Sequence, residues 1–143
     1  MDTHFVKTFS YGLANGLCKI HETGILHNNL TVSNILLRSS KQPVIHDFSW
    51  SCREESAHLL TIHQKEYFEE ALHLPDSVRS GKEKPSKISD MYSFGQILLR
   101  ICSHAKNYEN DYSGLIRDIS KPCLLKKGVF NLWVLVDDKL NNL

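Results

Sequence analysis

Two stretches carry most of the information in this chain: His27-Asn28-Asn29-Leu30-Thr31-Val32-Ser33-Asn34 and, thirteen residues after Asn34, Asp47-Phe48-Ser49. Taken alone, Asn34 and Asp47 are compatible with ordinary turns, in which Asn and Asp are frequent. The surrounding sequence has to show whether they are more than turn residues.

An apolar stripe precedes the first stretch. Apolar residues recur at steps of three and four, which predicts one helix from about Thr3 to Glu22; they are Phe5, Phe9, Leu13, Leu17 and Ile20. Gly12 and Gly16 interrupt the helix and allow close packing. Gly24 suits the left-handed position that ends a helix.

Short apolar runs follow the first stretch. Asn34 to Leu37 and Val44-Ile45 flank a turn-like segment, which predicts a β-hairpin. Residues 49–74 have no sustained periodicity, as expected of a functional or mobile connection. A second helix is predicted from about Lys87 to Ser103, with Asp90 in its first turn. A short third helix is predicted around residues 115–119.

Composition sets broad limits. Of the 143 residues, 41% are hydrophobic and 23% charged, which is ordinary for a globular domain. The net charge of +1 gives no reason to expect nucleic acid as a partner, and Val129 to Val136 is too short to span a membrane. The four cysteines form no CxxC pair, so we expect free thiols and an intracellular, cytoplasmic protein.

Four motifs in order resemble those of the protein kinase family. His27 to Asn34 is similar to the catalytic loop H-R-D-L-x-x-x-N, and Asp47-Phe48-Ser49 to D-F-G. Leu74-Pro75-Asp76 resembles A-P-E, and Ser89 to Gly95 the start of the central helix of the C-terminal lobe. The resemblance implies a kinase-like fold reduced to that lobe, mainly α with a short β-hairpin (α+β), over residues 1–121. Residues 122–143 form an unassigned tail.

The resemblance also implies a site. Asn34 and Asp47 occupy the positions that hold Mg²⁺, and Leu36 lies with Ile35 and Leu37 beneath the adenine of ATP. The family reaction is ATP-dependent phosphorylation of Ser, Thr or Tyr in a protein. Asn29 stands where the catalytic Asp accepts the substrate proton. An amide is no base at neutral pH, and losing a general base lowers a rate by about 10²- to 10⁴-fold.

Three further substitutions mark the motifs. Asn28 replaces the Arg that meets a phosphate on the activation segment in many family members, Thr31 replaces a Lys, and Ser49 replaces the D-F-G Gly. The structural positions match better, since His27, Phe48 and Asp90 would form the base of the family's hydrophobic column. Asp76 has no evident Arg partner.

The sequence contains no G-x-G-x-x-G pattern and no V-A-I-K-like strand. We therefore expect negligible ATP affinity from this chain alone, and an impaired enzyme. The alternative is a non-enzymatic pseudokinase module that binds a protein partner in signalling. A chain without a stable fold is the third possibility. The histidines, among them His58, His63 and His73, lack metal-ligand spacing and are expected to be solvated.

Overall fold

The computed structural model describes residues 3–104, and side chains over residues 4–101. The predicted third helix and the tail at 122–143 lie outside the described residues. The helices are α1 (Thr3–Glu22), α2 (Ile62–Tyr67), α3 (Asp76–Arg79) and α4 (Lys87–His104). The strands are β1 (Ile25–Leu26), β2 (Ile35–Leu37), β3 (Pro43–Ile45) and β4 (Cys52–Arg53). Helices and two small antiparallel sheets make an α+β arrangement.

Helix α1 has the predicted bounds, and its glycines explain how it packs. A Cβ on Gly12 would come within 2.5 Å of Pro43 Cδ, so strand β3 reaches the helix backbone only because the side chain is missing. Gly16 faces Ile45 at an ordinary 3.5 Å. After the helix, Gly24 adopts the left-handed φ of 79°, which confirms its predicted role as the helix end.

The predicted hairpin is also confirmed. Strands β2 and β3 pair antiparallel, with Ile35 opposite Ile45 and Leu37 opposite Pro43. Strand β1, directly after α1, pairs antiparallel with β4, so Leu26 lies opposite Cys52. These two short ladders fix the two ends of the connection between α1 and β2, and this connection contains the catalytic-loop-like stretch.

The core lies between α1 and α4. Apolar side chains from both helices interlock with Leu30 of the loop; the fully buried ones are Leu13, Ala14, Leu17, Leu30, Phe94 and Leu98. Leu30 thereby anchors the middle of the loop in the core. Burying a leucine side chain stabilises the fold by about 1.5–3 kcal/mol, so the loop position is strongly specified.

Residues 49–74 are irregular apart from β4, a 3₁₀ turn and α2, as their lack of periodicity predicted. Helix α2 begins with a capping box, in which Thr61 and Gln64 exchange side-chain bonds with each other's backbone N–H groups. Pro75 precedes α3 as its cap residue. No helix within residues 3–104 has the length and apolar character to cross a membrane.

Candidate active site

Asp90 ties the catalytic-loop-like stretch to helix α4. It is 1% exposed, and its carboxylate accepts from the backbone N–H groups of His27 at 2.8 Å and Asn28 at 2.9 Å. His21 of α1 donates a third bond through Nε2 at 2.8 Å. A buried carboxylate needs such donors to balance the loss of water. The sequence identified Asp90 but not His21. His21 was expected to be solvated, and it is 6% exposed.

His27 continues this network. Its Nε2–H donates to the carbonyl of His46 at 3.1 Å, and its Nδ1 accepts from the backbone N–H of Asn29 at 3.3 Å. Its ring and that of Phe48 meet in a T-shaped arrangement, with centroids 5.1 Å apart. His27, Phe48 and Asp90, which the sequence grouped together, are therefore connected through His27.

An open cleft of about 510 Å³ brings three predicted site residues together: Asn29, Asn34 and Asp47 all line it. We call it the Asn29 cleft. The Asn34 amide donates through Nδ2 to the backbone carbonyl of Asn29 at 2.8 Å, which closes the loop on itself. Leu36 does not line the cleft. It lies on the hairpin and is 54% exposed.

His73 occupies the Asn29 cleft opposite the loop. Its Nε2–H donates to Asn29 Oδ1 at 2.8 Å. Burial, and after it the nearby charges of Arg79 and His27, lowers the pKa of His73 from 6.5 to about 4. The expectation that this histidine is solvated was wrong, because the chain that leads into Leu74-Pro75-Asp76 folds back over the loop. At neutral pH an uncharged imidazole thus faces an uncharged amide.

Asp47 stands at the exposed rim of the cleft. Its φ of 60° is left-handed, a region that Asp tolerates better than most residues. The Ser49 hydroxyl and backbone N–H both donate to Asp47 Oδ1, and these bonds hold the pKa of the Asp47 carboxyl below its ordinary value. The carboxylate is therefore charged at neutral pH.

The donors in the cleft fit a magnesium ion that also binds phosphate. Asp47 supplies a charged carboxylate and Asn34 an amide, and Mg²⁺ is usually held by one or two carboxylates together with phosphates and water. Ser49 occupies one carboxylate oxygen, Oδ1. Within residues 4–101, no three His, Cys, Asp or Glu side chains group as a metal site, so phosphate oxygens would have to complete the coordination.

Positive charge is missing from the cleft. Among its described lining residues there is no Lys or Arg. Thr31, which the motif resemblance aligns with the family Lys, shares a hydrogen bond of 2.9 Å with Ser33. Asp76, for which the sequence offered no partner, contacts Arg79 one turn along α3. That guanidinium also donates to the carbonyl of Glu69 at 2.9 Å, so it is engaged outside the cleft.

Similarity to known proteins identifies the family of the chain. The sequence matches the family model for the protein kinase domain over residues 1–131. The chain belongs to the protein kinase domain family. It is 36% identical over 90 residues to an Arabidopsis thaliana protein named "Putative inactive receptor-like protein kinase". That match covers 63% of this chain and 14% of the relative.

Within this kinase domain, sequence reasoning found the loop residues but missed what lies against them. The position of His73, directly before the A-P-E-like motif, was the available signal. Trp50 and Cys52, which follow the D-F-G-like motif, were also passed over. Their contacts to the Asn28 side chain at 3.1 and 3.3 Å depend on a chain path that periodicity does not give.

Proposed function

We propose that this kinase domain does not transfer phosphate and acts as a protein-binding module in signalling. The observation that carries the proposal is the pair formed by Asn29 and His73. Asn29 takes the place of the catalytic base, and an amide cannot accept the proton of a substrate hydroxyl at neutral pH. Loss of a general base is worth about 10²- to 10⁴-fold in rate.

His73 does not replace the missing base. A base whose pKa is about 4 holds a proton weakly at neutral pH. Its Nε2 is also occupied by the bond to Asn29. The described lining of the cleft contains no Lys or Arg. A second contribution to catalysis is therefore missing, since phosphoryl transfer relies on positive charge around the transferring group.

Nucleotide binding is a separate part of the proposal. Asn34 and Asp47 are the residues that would hold Mg²⁺, and Leu36 would lie beneath the adenine of ATP. Bound Mg²⁺ would neutralise phosphate charge. Among the described residues, the hairpin would contact such a ligand from one side. Its Leu36 and Leu37 are 54% and 50% exposed, so no described residue covers the ligand from the other side. We therefore expect weak binding of Mg-ATP by this chain.

The proposal extends to the domain limits and the compartment. Residues 1–121 would correspond to the C-terminal lobe of a kinase domain and residues 122–143 to a tail, of which residues 122–131 still fall within the family match. An intracellular, cytoplasmic location is supported by Cys18 and Cys52, neither of which forms a disulfide bond. Since the chain spans 14% of its relative, the activity and partners of any longer protein are part of the same proposal.

A protein partner is favoured over a substrate by the exposed apolar surface beside the cleft. Val32, Leu36, Leu37 and Phe48 are each between 42% and 54% exposed. Exposed apolar patches of this kind commonly mark interaction sites. The family relationship suggests a protein as the partner.

Two assays on the same sample test the proposal. The chain is titrated with Mg-ATP in a calorimeter, and phosphate transfer from labelled ATP to a general protein substrate is then measured. We expect weak binding that the Asp47→Asn and Asn34→Ala variants reduce, and no transfer. Transfer by the parent chain that Asp47→Asn abolishes would overturn the proposal.

A further inference from the structure

A second cavity, of about 340 Å³, lies behind the Asn29 cleft. Its lining mixes aromatic and aliphatic side chains with uncharged polar ones; the residues used below are Asn28, Trp50, Cys52, Phe68, Leu74 and Val78. We call it the Asn28 pocket. Its volume falls within the range of small-molecule sites. Phe68 lines both this pocket and the Asn29 cleft and so separates them.

Asn28, which lines the pocket, carries a buried acceptor that has no donor. Its Nδ2 donates to the carbonyl of Trp50 at 3.1 Å and to Cys52 Sγ at 3.3 Å, which uses both N–H bonds. Turning the amide over would place its oxygen against the Trp50 carbonyl, so the orientation is fixed. The oxygen Oδ1 is buried and has no hydrogen-bond partner among the described residues. Buried acceptors are rarely left unpaired, and each calls for an explanation.

The backbone at Asn28 shows that this placement is imposed. Its φ is 69°, a left-handed value that Asn tolerates better than most residues. Its N–H is held by the buried carboxylate of Asp90 at 2.9 Å. The bond to Asp90 and the left-handed φ together fix the backbone from which the Asn28 side chain projects.

The walls of the Asn28 pocket exclude charged ligands. Its described lining contains no Asp, Glu, Lys or Arg, and its titratable side chains are Cys52 and His58. His58 is exposed, and its Nδ1 meets the carbonyl of Leu59 at 2.8 Å. A phosphate or carboxylate placed here would lose its hydration and gain no opposite charge. The flat rings of Trp50 and Phe68 instead suit an apolar, planar molecule.

We propose that the Asn28 pocket binds a small uncharged molecule with a flat apolar body and one N–H or O–H donor. The donor bonds to Asn28 Oδ1, and the body packs on the ring of Trp50 and on Leu74 and Val78. This binding needs neither nucleotide nor phosphate transfer. It stands whether or not the kinase domain is active.

The test uses two probes that differ by one donor: indole, which has an N–H group, and 1-methylindole, which has none. Their binding is followed through the rate at which N-ethylmaleimide labels Cys52 in the full chain, with the other three cysteines changed to Ser. We expect indole to slow labelling. 1-Methylindole should need an approximately fivefold higher concentration for equal protection, because one hydrogen bond is lost.

Two controls separate the pocket from general effects. A chain that keeps Cys18 as its one thiol should be labelled at the same rate with and without indole. Asn28→Gly removes the acceptor and keeps the left-handed backbone, so the two probes should then protect Cys52 equally. Circular dichroism before labelling confirms that each variant is folded.

Several results would overturn the proposal. One is that indole does not slow the labelling of Cys52. Another is that indole and 1-methylindole protect Cys52 equally in the parent. A third is that the charged indole-3-carboxylate protects Cys52 as well as indole does. A Cys52 thiol that resists labelling without any probe and reacts only after denaturation would also contradict it. In that case the cavity would already be filled by another part of the chain.

Discussion

Asp90 and Asp47 both hold positions that the kinase family uses, and their surroundings differ. Asp90 is 1% exposed and accepts bonds from His21, His27 and Asn28. Asp47 lies on the exposed rim of a cleft and bonds to Ser49. Asp90 thus belongs to a buried network, whereas near Asp47 the positions that we propose for the family's base and cation are occupied by Asn29 and Thr31.

Under the proposed function, this difference explains how the fold is kept when phosphate transfer is lost. The Asp90 network fixes the loop to α4, so losing a member leaves buried donors unpaired. The cleft residues other than Phe68 are exposed or half-buried, and substitution there costs less stability than in the Asp90 network. If Asn29 and Thr31 replace the family's Asp and Lys, as we propose, those changes leave the packing between α1 and α4 intact.

Exchanging each aspartate for asparagine gives the largest contrast. Asp90→Asn places an NH₂ group against buried N–H donors and should lower the free energy of unfolding by about 2–4 kcal/mol. Asp47→Asn, on the exposed rim, should change it by less than about 0.5 kcal/mol. Urea unfolding followed by circular dichroism measures both. Equal losses would show that the two aspartates are not placed as described.

The glycines of α1 test the packing beneath the loop. Gly12→Ala puts a Cβ against Pro43 and should destabilise the fold by about 1–3 kcal/mol through overpacking. Gly16→Ala has ordinary room beside Ile45 and should stabilise the helix by about 0.5–1 kcal/mol. Thermal unfolding of the pair checks this. A stabilising Gly12→Ala would mean that the hairpin does not press on α1 there.

His73 makes the stability of the fold depend on pH. Its pKa is about 4 in the fold and 6.5 ordinarily, so the unfolded chain binds more protons between these values and stability rises with pH. The contribution is present above pH 6.5 and is lost as the pH falls towards 4. It amounts to about 1–2 kcal/mol, after a discount for the partial exposure of the ring.

The matched variant for this effect is His73→Gln, whose amide N–H can take over the bond to Asn29. Urea unfolding between pH 7 and 4 should show a steeper loss of stability in the parent than in the variant. Parallel curves would contradict the lowered pKa of His73. The comparison cancels the other histidines, because both chains contain them.

Much of the fold follows from local pattern. The stripe from Phe5 to Ile20 gave the bounds of α1, and the two apolar runs around the turn gave the hairpin, because both signals depend on neighbouring residues. The approach of Gly12 to β3 was anticipated only as close packing. Its partner, Pro43, depends on the tertiary path.

The site was only partly predictable for the same reason. Asn29, Asn34 and Asp47 were found because they belong to spaced motifs, and the structure brings them to one cleft. The contacts of His73 and Cys52 lie 44 and 24 residues away along the chain, at Asn29 and Asn28. No periodicity encodes such contacts. The role of Leu36 beneath adenine stays a prediction.

The most direct test of the account is the pKa of His73, measured by NMR titration of its ring in the parent chain and in Asn29→Asp. The central claim is that a neutral amide at the base position contacts an uncharged imidazole. The account predicts a pKa of about 4 in the parent and a clear rise in the variant, because a carboxylate beside the ring favours its charged form. A parent pKa near 6.5 that Asn29→Asp leaves unchanged would contradict it.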